Sequence, residues 1–519
     1  MKKHHIEVAK AETVSRMVDY YANKDIKGLI NDTIYYEKKR LKKAKQDERY
    51  RKDKELIKYV QKKLENSDKT TQIELLKKLS AHYIEEITAT FNPRVYNLST
   101  QALPKIISVM LNALSPKKII KNRFKVPPIE NNIILKGKID KLKKLSKKGT
   151  LLVVPTHVSN LDSPLIGWAI YALGLEPLVY GAGLNLFENK LFGFFMSRLG
   201  AYSVDRKKKN QLYKDLLKEY AIFSLENNYS NLFFPGGTRS RDGKIESKLK
   251  KGLLGTALTA YYNNLKTDKK NKDIFVVPLN LSYQVVLEGN SLITDHLSES
   301  GKSRYIIKDD ESFKLSKIAN FFIKLFSLDS KIILNFGEPM DLFGNSLDDD
   351  GNSLSPSGKI IDKKNYFMEN GEIVKDEQRD YAYTNMLSDA IAKRYLENNT
   401  IMSVHFISFV AFKIFKKIND TTDFYQFIQT GGERNSINLI EFYKEGEIIL
   451  NKLDKLYQDS KIDLDDIIKE GKIEEILNDA LRYFDVFGST VLFRKGDRIY
   501  SENLKVLYYY HNRVEGYDL

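Results

Sequence analysis

The chain has 519 residues, 84 of them Lys or Arg against 68 Asp or Glu, a formal net charge of +16, so its surface attracts polyanions: nucleic acid, anionic lipid headgroups or phosphorylated small molecules. Hydrophobic residues at 42% and charged residues at 29% fit a globular chain with a large core, not a disordered or fibrous one. The absence of cysteine excludes disulfides, thiolate-ligated zinc, iron–sulfur clusters and every thiolate nucleophile.

The opening MKKHHIEVAKAETVSRMVDYY is basic but has no apolar region behind it, so it is not read as a signal peptide. No stretch reaches the roughly 18–20 apolar residues that span a bilayer, and the chain is expected in the cytoplasm. Residues 1–115 have helical periodicity with little glycine, ending in the apolar Ala102–Leu114, where Pro104 suits a first turn. Over residues 116–342 short apolar runs alternate with longer periodic stretches. Leu151–Val154 precedes Pro164–Leu173, Leu178–Tyr180 precedes Asn185–Leu199, Tyr202–Val204 precedes Gln211–Glu226, and Leu232–Phe234 precedes Leu249–Tyr262. Ile274–Val277, Arg304–Ile307 and Lys331–Phe336 read as further strands. This order predicts an α/β fold: a mostly parallel sheet flanked by helices, with helical N- and C-terminal extensions. Residues 343–377 read as a polar surface excursion or linker, with a hairpin signal at Asn370–Gly371. Residues 378–519 return to helical periodicity, with a short strand pair at Thr490–Phe493 and Arg498–Tyr500 before a closing helix, Leu504–Arg513.

Of seven histidines, only His157 has an aspartate five positions on, in Thr156-His157-Val158-Ser159-Asn160-Leu161-Asp162. The spacing alone is weak; its location is more informative. A strand runs in and a helix runs out, so both side chains fall at the carboxyl end of a strand, where α/β sheets place ligands. A carboxylate that fixes the imidazole tautomer makes histidine a better general base toward a hydroxyl. From local sequence alone, the commoner reading is that Asp162 is a helix N-cap and His157 a loop residue. A second feature, Phe234-Pro235-Gly236-Gly237-Thr238-Arg239-Ser240-Arg241-Asp242-Gly243-Lys244, joins glycines, hydroxyls and three cations after a strand. It offers N–H groups and guanidinium forks to a phosphate, or forms a solvated basic turn. It is not a P-loop, because Ile245 follows Lys244 where Ser or Thr is required. Gly200-Ala201-Tyr202-Ser203-Val204-Asp205-Arg206 puts an arginine at a strand end, and Val277-Pro278-Leu279-Asn280-Leu281-Ser282-Tyr283 is an apolar strand interrupted by proline.

Taken in order, THVSNLD, GAYSVDR, FPGGTRS and VPLNLSY resemble the four blocks of the glycerophospholipid acyltransferases, which include glycerol-3-phosphate, dihydroxyacetone-phosphate and lysophosphatidate acyltransferases. The resemblance is specific over about residues 130–285. More loosely, Asn92–Leu114, Thr400–Phe412 and Leu507–Arg513 look like helical flanks of the longer members that acylate glycerol-3-phosphate. The resemblance implies that His157 is the general base on the acceptor hydroxyl and that Asp162 orients it. The acyl group would pass directly from a thioester, acyl-CoA or acyl-carrier protein, with no covalent acyl-enzyme, no cofactor and no metal. Arg206 and Arg239 would hold the acceptor phosphate, with Gly237, Thr238 and Ser240 shaping the turn and Pro278 the wall. Arg241 and Lys244 join the phosphate set by their charge. One position departs from the pattern: the glutamate that usually precedes the glycine of Gly-Thr-Arg-Ser is Gly236 here. The base, its orienting acid and both arginines remain, so an active enzyme is expected.

Two other classes have less support. A nucleic-acid-binding role would use the positive charge with 31 Tyr and 27 Phe, but the cations are spread among acidic residues and no nucleic-acid module is present, so no nucleic-acid partner is expected. A serine hydrolase would need a G-x-S-x-G elbow, which the chain lacks. Leu184–Leu199 and Ile401–Lys417, apolar with flanking cations, are read either as peripheral contacts with the anionic inner face of a membrane or as core helices.

Overall fold

In a computed structural model of the chain, residues 3–519 are described except 45, 89–90, 93, 97–131, 185–199, 268, 301–329, 421–422, 431–435 and 485–489. The expected helices Ala102–Leu114 and Asn185–Leu199 and the strand Arg304–Ile307 lie outside the described residues.

The N-terminal region begins with four helices, α1 (Lys3–Tyr21), α2 (Ile26–Leu41), α3 (Glu48–Leu64) and α4 (Lys69–Ile87). The last three start the same way: Asp25, Asp47 and Asp68 each accept a 2.8 Å hydrogen bond from the backbone N–H three residues on, satisfying a donor that helix geometry leaves orphaned. Their apolar faces form one cluster with residues of the central domain, among them Val179, Tyr202, Tyr213 and Tyr220.

The central domain runs β1 (Ile133–Gly137), α5 (Ile139–Leu145), β2 (Thr150–Pro155), α6 (Asp162–Ala172), β3 (Val179–Gly183), β4 (Ala201–Val204), α7 (Gln211–Glu226), β5 (Asn231–Leu232), α8 (Lys251–Lys266), β6 (Ile274–Tyr283), α9 (Gly289–Ser300) and β7 (Ile332–Phe336). The seven strands are ordered β1-β7-β6-β2-β5-β3-β4. From β6 to β4 neighbouring strands are parallel; β7 is antiparallel to β6 and parallel to β1. Both faces are covered, as parallel sheets require. Leu151 and Val153 join one cluster and Leu152 and Val154 the other, the alternation that a pleated strand imposes. The expected α/β architecture, helical at both ends, is thus the one observed. Pro278 does not interrupt its strand, contrary to expectation: β6 runs unbroken through it. The ladder on that side goes from Val276 paired with Met340 to Pro278, whose carbonyl accepts from Gly337 N–H at 2.9 Å. The proline's missing donor therefore falls at the end of β7, where no ladder bond requires it.

Residues 343–377 carry short antiparallel strands at Ser346–Leu347, Ser353–Leu354 and Ile360–Ile361 and a hairpin at Met368–Glu369 and Glu372–Ile373. Asn370 and Gly371 at its tip have φ of 49° and 86°, as the expected two-residue turn demands. Phe343 and Phe367 anchor the segment in the core. The C-terminal helices include α10 (Glu377–Glu397), α11 (Ser403–Ile418), α12 (Leu439–Gln458), α13 (Ile473–Phe484) and α14 (Leu504–His511). The strand pair ahead of α14 is Phe493–Lys495 with Arg498–Tyr500, shifted along from the expected first strand. Helix α11 decides between the two readings of Ile401–Lys417. Val404, Phe406, Ile407, Val410, Phe412 and Phe415 are all buried in the cluster that also holds β2 and β6, so this segment is a core helix with no apolar face left for a membrane. No described helix is long and apolar enough to cross one.

A buried charge network joins the N-terminal helices to the segment after β4. Lys208, its side chain fully buried, reaches Glu86 of α4 and lies 3.7 Å from Asp53 of α3, which also pairs with Arg40 and, at 2.7 Å, with His82. Burial alone would raise the Asp53 carboxyl, but His82, Lys208 and Arg40 outweigh it and hold it below the ordinary aspartate value. Asp53 and Glu86 are thus each paired with cations. Removing one partner of a buried network strands the other charges. Lys208→Met is therefore expected to cost about 3–5 kcal/mol, read as a lower denaturant midpoint. The Asp53 contribution is present above its ordinary value of 3.8 and is lost as pH falls below it, because the folded state holds that carboxyl lower.

Candidate active site

The parallel strands β5, β2 and β6 end side by side, and the turns that leave them meet at one edge, the position at which such sheets bind ligands. From β2 comes the turn 156–161. His157 Nδ1 lies 2.8 Å from Asp162 Oδ2, and the same oxygen accepts from the N–H groups of Val158 at 2.7 Å and Ser159 at 3.0 Å. Asp162 Oδ1 accepts from the Tyr283 hydroxyl of β6 at 2.5 Å. Asp162 is the first residue of α6, yet its acceptor bonds run back to residues 157–159, so it closes the turn and does not cap its own helix. Because Asp162 Oδ2 already accepts from two backbone N–H groups, it serves as the acceptor toward Nδ1, which leaves Nε2 as the basic nitrogen. The Asp162 side chain is fully buried while that of His157 keeps 16% exposure, so the acid is shielded and the base reachable. Burial and then the Asp162 charge push the Tyr283 phenol well above its ordinary value, so it stays a donor.

From β5 comes the turn 235–250. Phe234 stacks on the His157 ring with centroids 4.0 Å apart. Ser240 N–H donates to the His157 carbonyl at 2.7 Å, and Lys250 N–H to the Pro235 carbonyl at 2.7 Å. Gly237 has φ of +77°, a conformation that favours glycine, and the Lys250 side chain lies against it. Arg239 Nη1 donates to Glu288 Oε1 at 3.3 Å. Glu288, just beyond β6, also takes Ser159 Oγ at 2.8 Å and Asn160 N–H at 3.0 Å, tying the arginine to the histidine turn. Burial raises the Glu288 carboxyl against these donors.

Arg206, just beyond β4, is lowered by desolvation and then by the charge of Arg239. The remaining expected residues divide. Thr238 is exposed in the turn, Pro278 is buried in β6, and Ser240 Oγ bonds the Lys244 carbonyl at 2.8 Å. Arg241 pairs with Glu299 of α9 and Lys244 with Glu515 at 2.7 Å, beyond α14. Both cations are thus engaged by carboxylates of other elements. Gly243, with φ of +84°, lies so close under the Tyr509 carbonyl that a Cβ would fall 2.0 Å from that oxygen, and Asn512 Nδ2 donates to the Asp242 carbonyl at 2.8 Å. Helix α14 thereby holds the outer half of the turn.

Several residues at this edge were not singled out from the sequence: Tyr283, Phe234, Glu288, Lys250 and Glu246. Glu246 Oε1 accepts the His157 N–H at 2.8 Å. Only Phe234 and Tyr283, the first residue of FPGGTRS and the last of VPLNLSY, carried a local signal.

Residues 136–282 match the family model described as Acyltransferase. A glycerol-3-phosphate acyltransferase of Xanthomonas axonopodis pv. citri (strain 306) is 29% identical over 210 residues, 40% of this chain and 22% of that protein. One from Pseudomonas paraeruginosa (strain DSM 24068 / PA7) is 29% identical over 206 residues, 39% and 23% of the two chains. One from Pseudoalteromonas atlantica (strain T6c / ATCC BAA-1087) is 26% identical over 268 residues, 50% and 28%. The chain thus spans about a quarter of the length of these relatives. The segment that matches the acyltransferase model, residues 136–282, lies on the sheet whose edge carries this site.

Proposed function

We propose that the protein transfers a fatty acyl group from a thioester, acyl-CoA or acyl-carrier protein, to a hydroxyl of glycerol-3-phosphate. The observation that carries this reading is the pairing of His157 with a fully buried Asp162 that accepts four hydrogen bonds. Nε2 of His157 takes the proton as the acceptor oxygen attacks the thioester carbonyl. The carbon–sulfur bond then breaks and the departing thiolate recovers the proton from the imidazolium, which Asp162 stabilises meanwhile. The charge of Arg206 and Arg239 suits the acceptor phosphate, and no covalent acyl-enzyme is needed.

The relatives' names favour glycerol-3-phosphate over lysophosphatidate, which offers the same phosphate and free hydroxyl. Incubation with a labelled acyl thioester and each acceptor in turn tests both; acylation of neither refutes the reading. Arg239→Ala is expected to raise KM for the phosphorylated acceptor by about 10–100-fold, the worth of one or two charge-assisted hydrogen bonds, with KM for the thioester little changed. Steady-state kinetics with each substrate varied separately check this. The surface charge suits an anionic lipid surface, and flotation with anionic vesicles at low and high salt tests for that partner.

A further inference from the structure

His157 is held from four directions, three of them already tied to quoted motifs: Asp162 on its Nδ1, Phe234 on its ring face and Ser240 on its carbonyl. The fourth is the backbone N–H, which donates to Glu246 Oε1 at 2.8 Å. Position 236, where the resemblance leads one to expect a glutamate, lies against that same carboxyl. A Cβ built on Gly236 would stand 2.8 Å from Glu246 Oε1, 3.0 Å from its Cγ and 3.2 Å from its Cδ, all closer than ordinary van der Waals contact. Among the described residues the positive-φ glycines include Gly237 and Gly243 but not Gly236. Conformation therefore does not require glycine at 236, but a larger residue there would have to move the Glu246 carboxyl.

We propose that Glu246 is a positioning residue for His157, its carboxyl reaching back from ten residues downstream into the place a side chain at 236 would take and fixing the His157 main chain. The turn is folded to allow this. Lys250 N–H closes on the Pro235 carbonyl, Ser240 Oγ closes on the Lys244 carbonyl, and Asn512 clamps the Asp242 carbonyl. The buried Arg513, bonded to the Leu281 carbonyl at 2.7 Å and to Asn399 Oδ1 at 2.7 Å, lends its charge from the far side. Burial nevertheless pushes the Glu246 carboxyl up to about 8, so near neutrality the carbonyl oxygen of a protonated acid serves the His157 N–H as well as a carboxylate would. Glycine at 236 and glutamate at 246 are thus one spatial arrangement: a side chain at 236 would displace the Glu246 carboxyl from the His157 N–H.

The inference rests on the acyl-transfer reading, and its test separates the two. Glu246→Ala is expected to lower kcat by about 10–100-fold, the penalty for a slightly misplaced base, with KM for both substrates within about twofold. Glu246→Gln, which keeps the acceptor oxygen, is expected to stay within about threefold of the parent. Gly236→Glu alone is expected to lose about tenfold, because two carboxyls contest one space, and Gly236→Glu combined with Glu246→Ala to regain about tenfold over Glu246→Ala alone. Amide exchange at His157 is expected to quicken in Glu246→Ala, a readout independent of turnover. The proposal is overturned if Glu246→Ala keeps more than about half the parental kcat, if its loss follows a lowered unfolding midpoint, or if the double variant is no better than the single one. If the parent acylates neither acceptor, or His157→Ala retains full activity, the functional reading fails instead, and the exchange rate at His157 still decides whether Glu246 holds the turn.

Discussion

His157→Ala is expected to lower kcat for acyl transfer by about 10²–10⁴-fold, the usual worth of a positioned general base. The substitution should leave the fold nearly intact. Asp162 keeps the N–H groups of Val158 and Ser159 and the Tyr283 hydroxyl, so no buried carboxylate is stranded, and the ring lost is partly exposed. A change in stability of no more than about 1–2 kcal/mol follows. Single-turnover acylation beside a denaturant curve checks both. Full activity in a folded variant would remove His157 from the chemistry.

Asp162→Asn is expected to be nearly as damaging, about 10²–10⁴-fold in kcat, for a different reason. Asp162 accepts four hydrogen bonds and donates none. An asparagine supplies one acceptor oxygen and an NH₂ that must face either Tyr283 or the cluster of His157, Val158 and Ser159. If the NH₂ faces the cluster, two backbone donors and Nδ1 lose their acceptor; if it faces Tyr283, the geometry survives but the negative charge that steadies the imidazolium is gone. Kinetics, with NMR of the His157 ring nitrogens to read the tautomer, separate these outcomes. A variant with parental kcat would mean that the carboxylate only builds the turn.

How much of this was legible depended on how far apart in the chain the partners lie. The sheet was readable because Thr150–Pro155 and Ile274–Tyr283 are buried throughout and each strand is followed by a periodic stretch. His157 and Asp162 were readable because both belong to one short strand-to-helix turn. Their supports were not. Glu246 meets the His157 backbone across 89 residues, Tyr283 meets Asp162 across 121 and Glu288 meets Ser159 across 129, and no local pattern announces such pairs. Gly236 was legible as a departure, but its explanation needed the third dimension. Arg241 and Lys244 looked like phosphate ligands by charge and proximity alone; Glu299 and Glu515, which hold them, lie on elements that sequence spacing could not bring near. Ile401–Lys417 stayed ambiguous because an apolar run with terminal lysines describes a core helix and a membrane-facing one equally well. Pro278 misled because a proline normally ends a strand, and only the partner arrangement around β6 makes it harmless.

The seat of α14 on Gly243 bears on when the molecule becomes competent. Asn512 and the Asp242 carbonyl are 270 residues apart, and Tyr510 and Val286, whose N–H donates to its hydroxyl at 2.9 Å, are 224 apart. Contacts that close such long loops carry a large entropic cost and tend to form after shorter-range ones. The strand pairs β3–β4 and β2–β5 join residues much closer in sequence, so this part of the sheet can form while the turn that backs His157 still lacks its outer clamp. In a refolding chain, acyl transfer is therefore expected to recover more slowly than far-ultraviolet circular dichroism, and simultaneous recovery would show that the catalytic edge sets with the sheet.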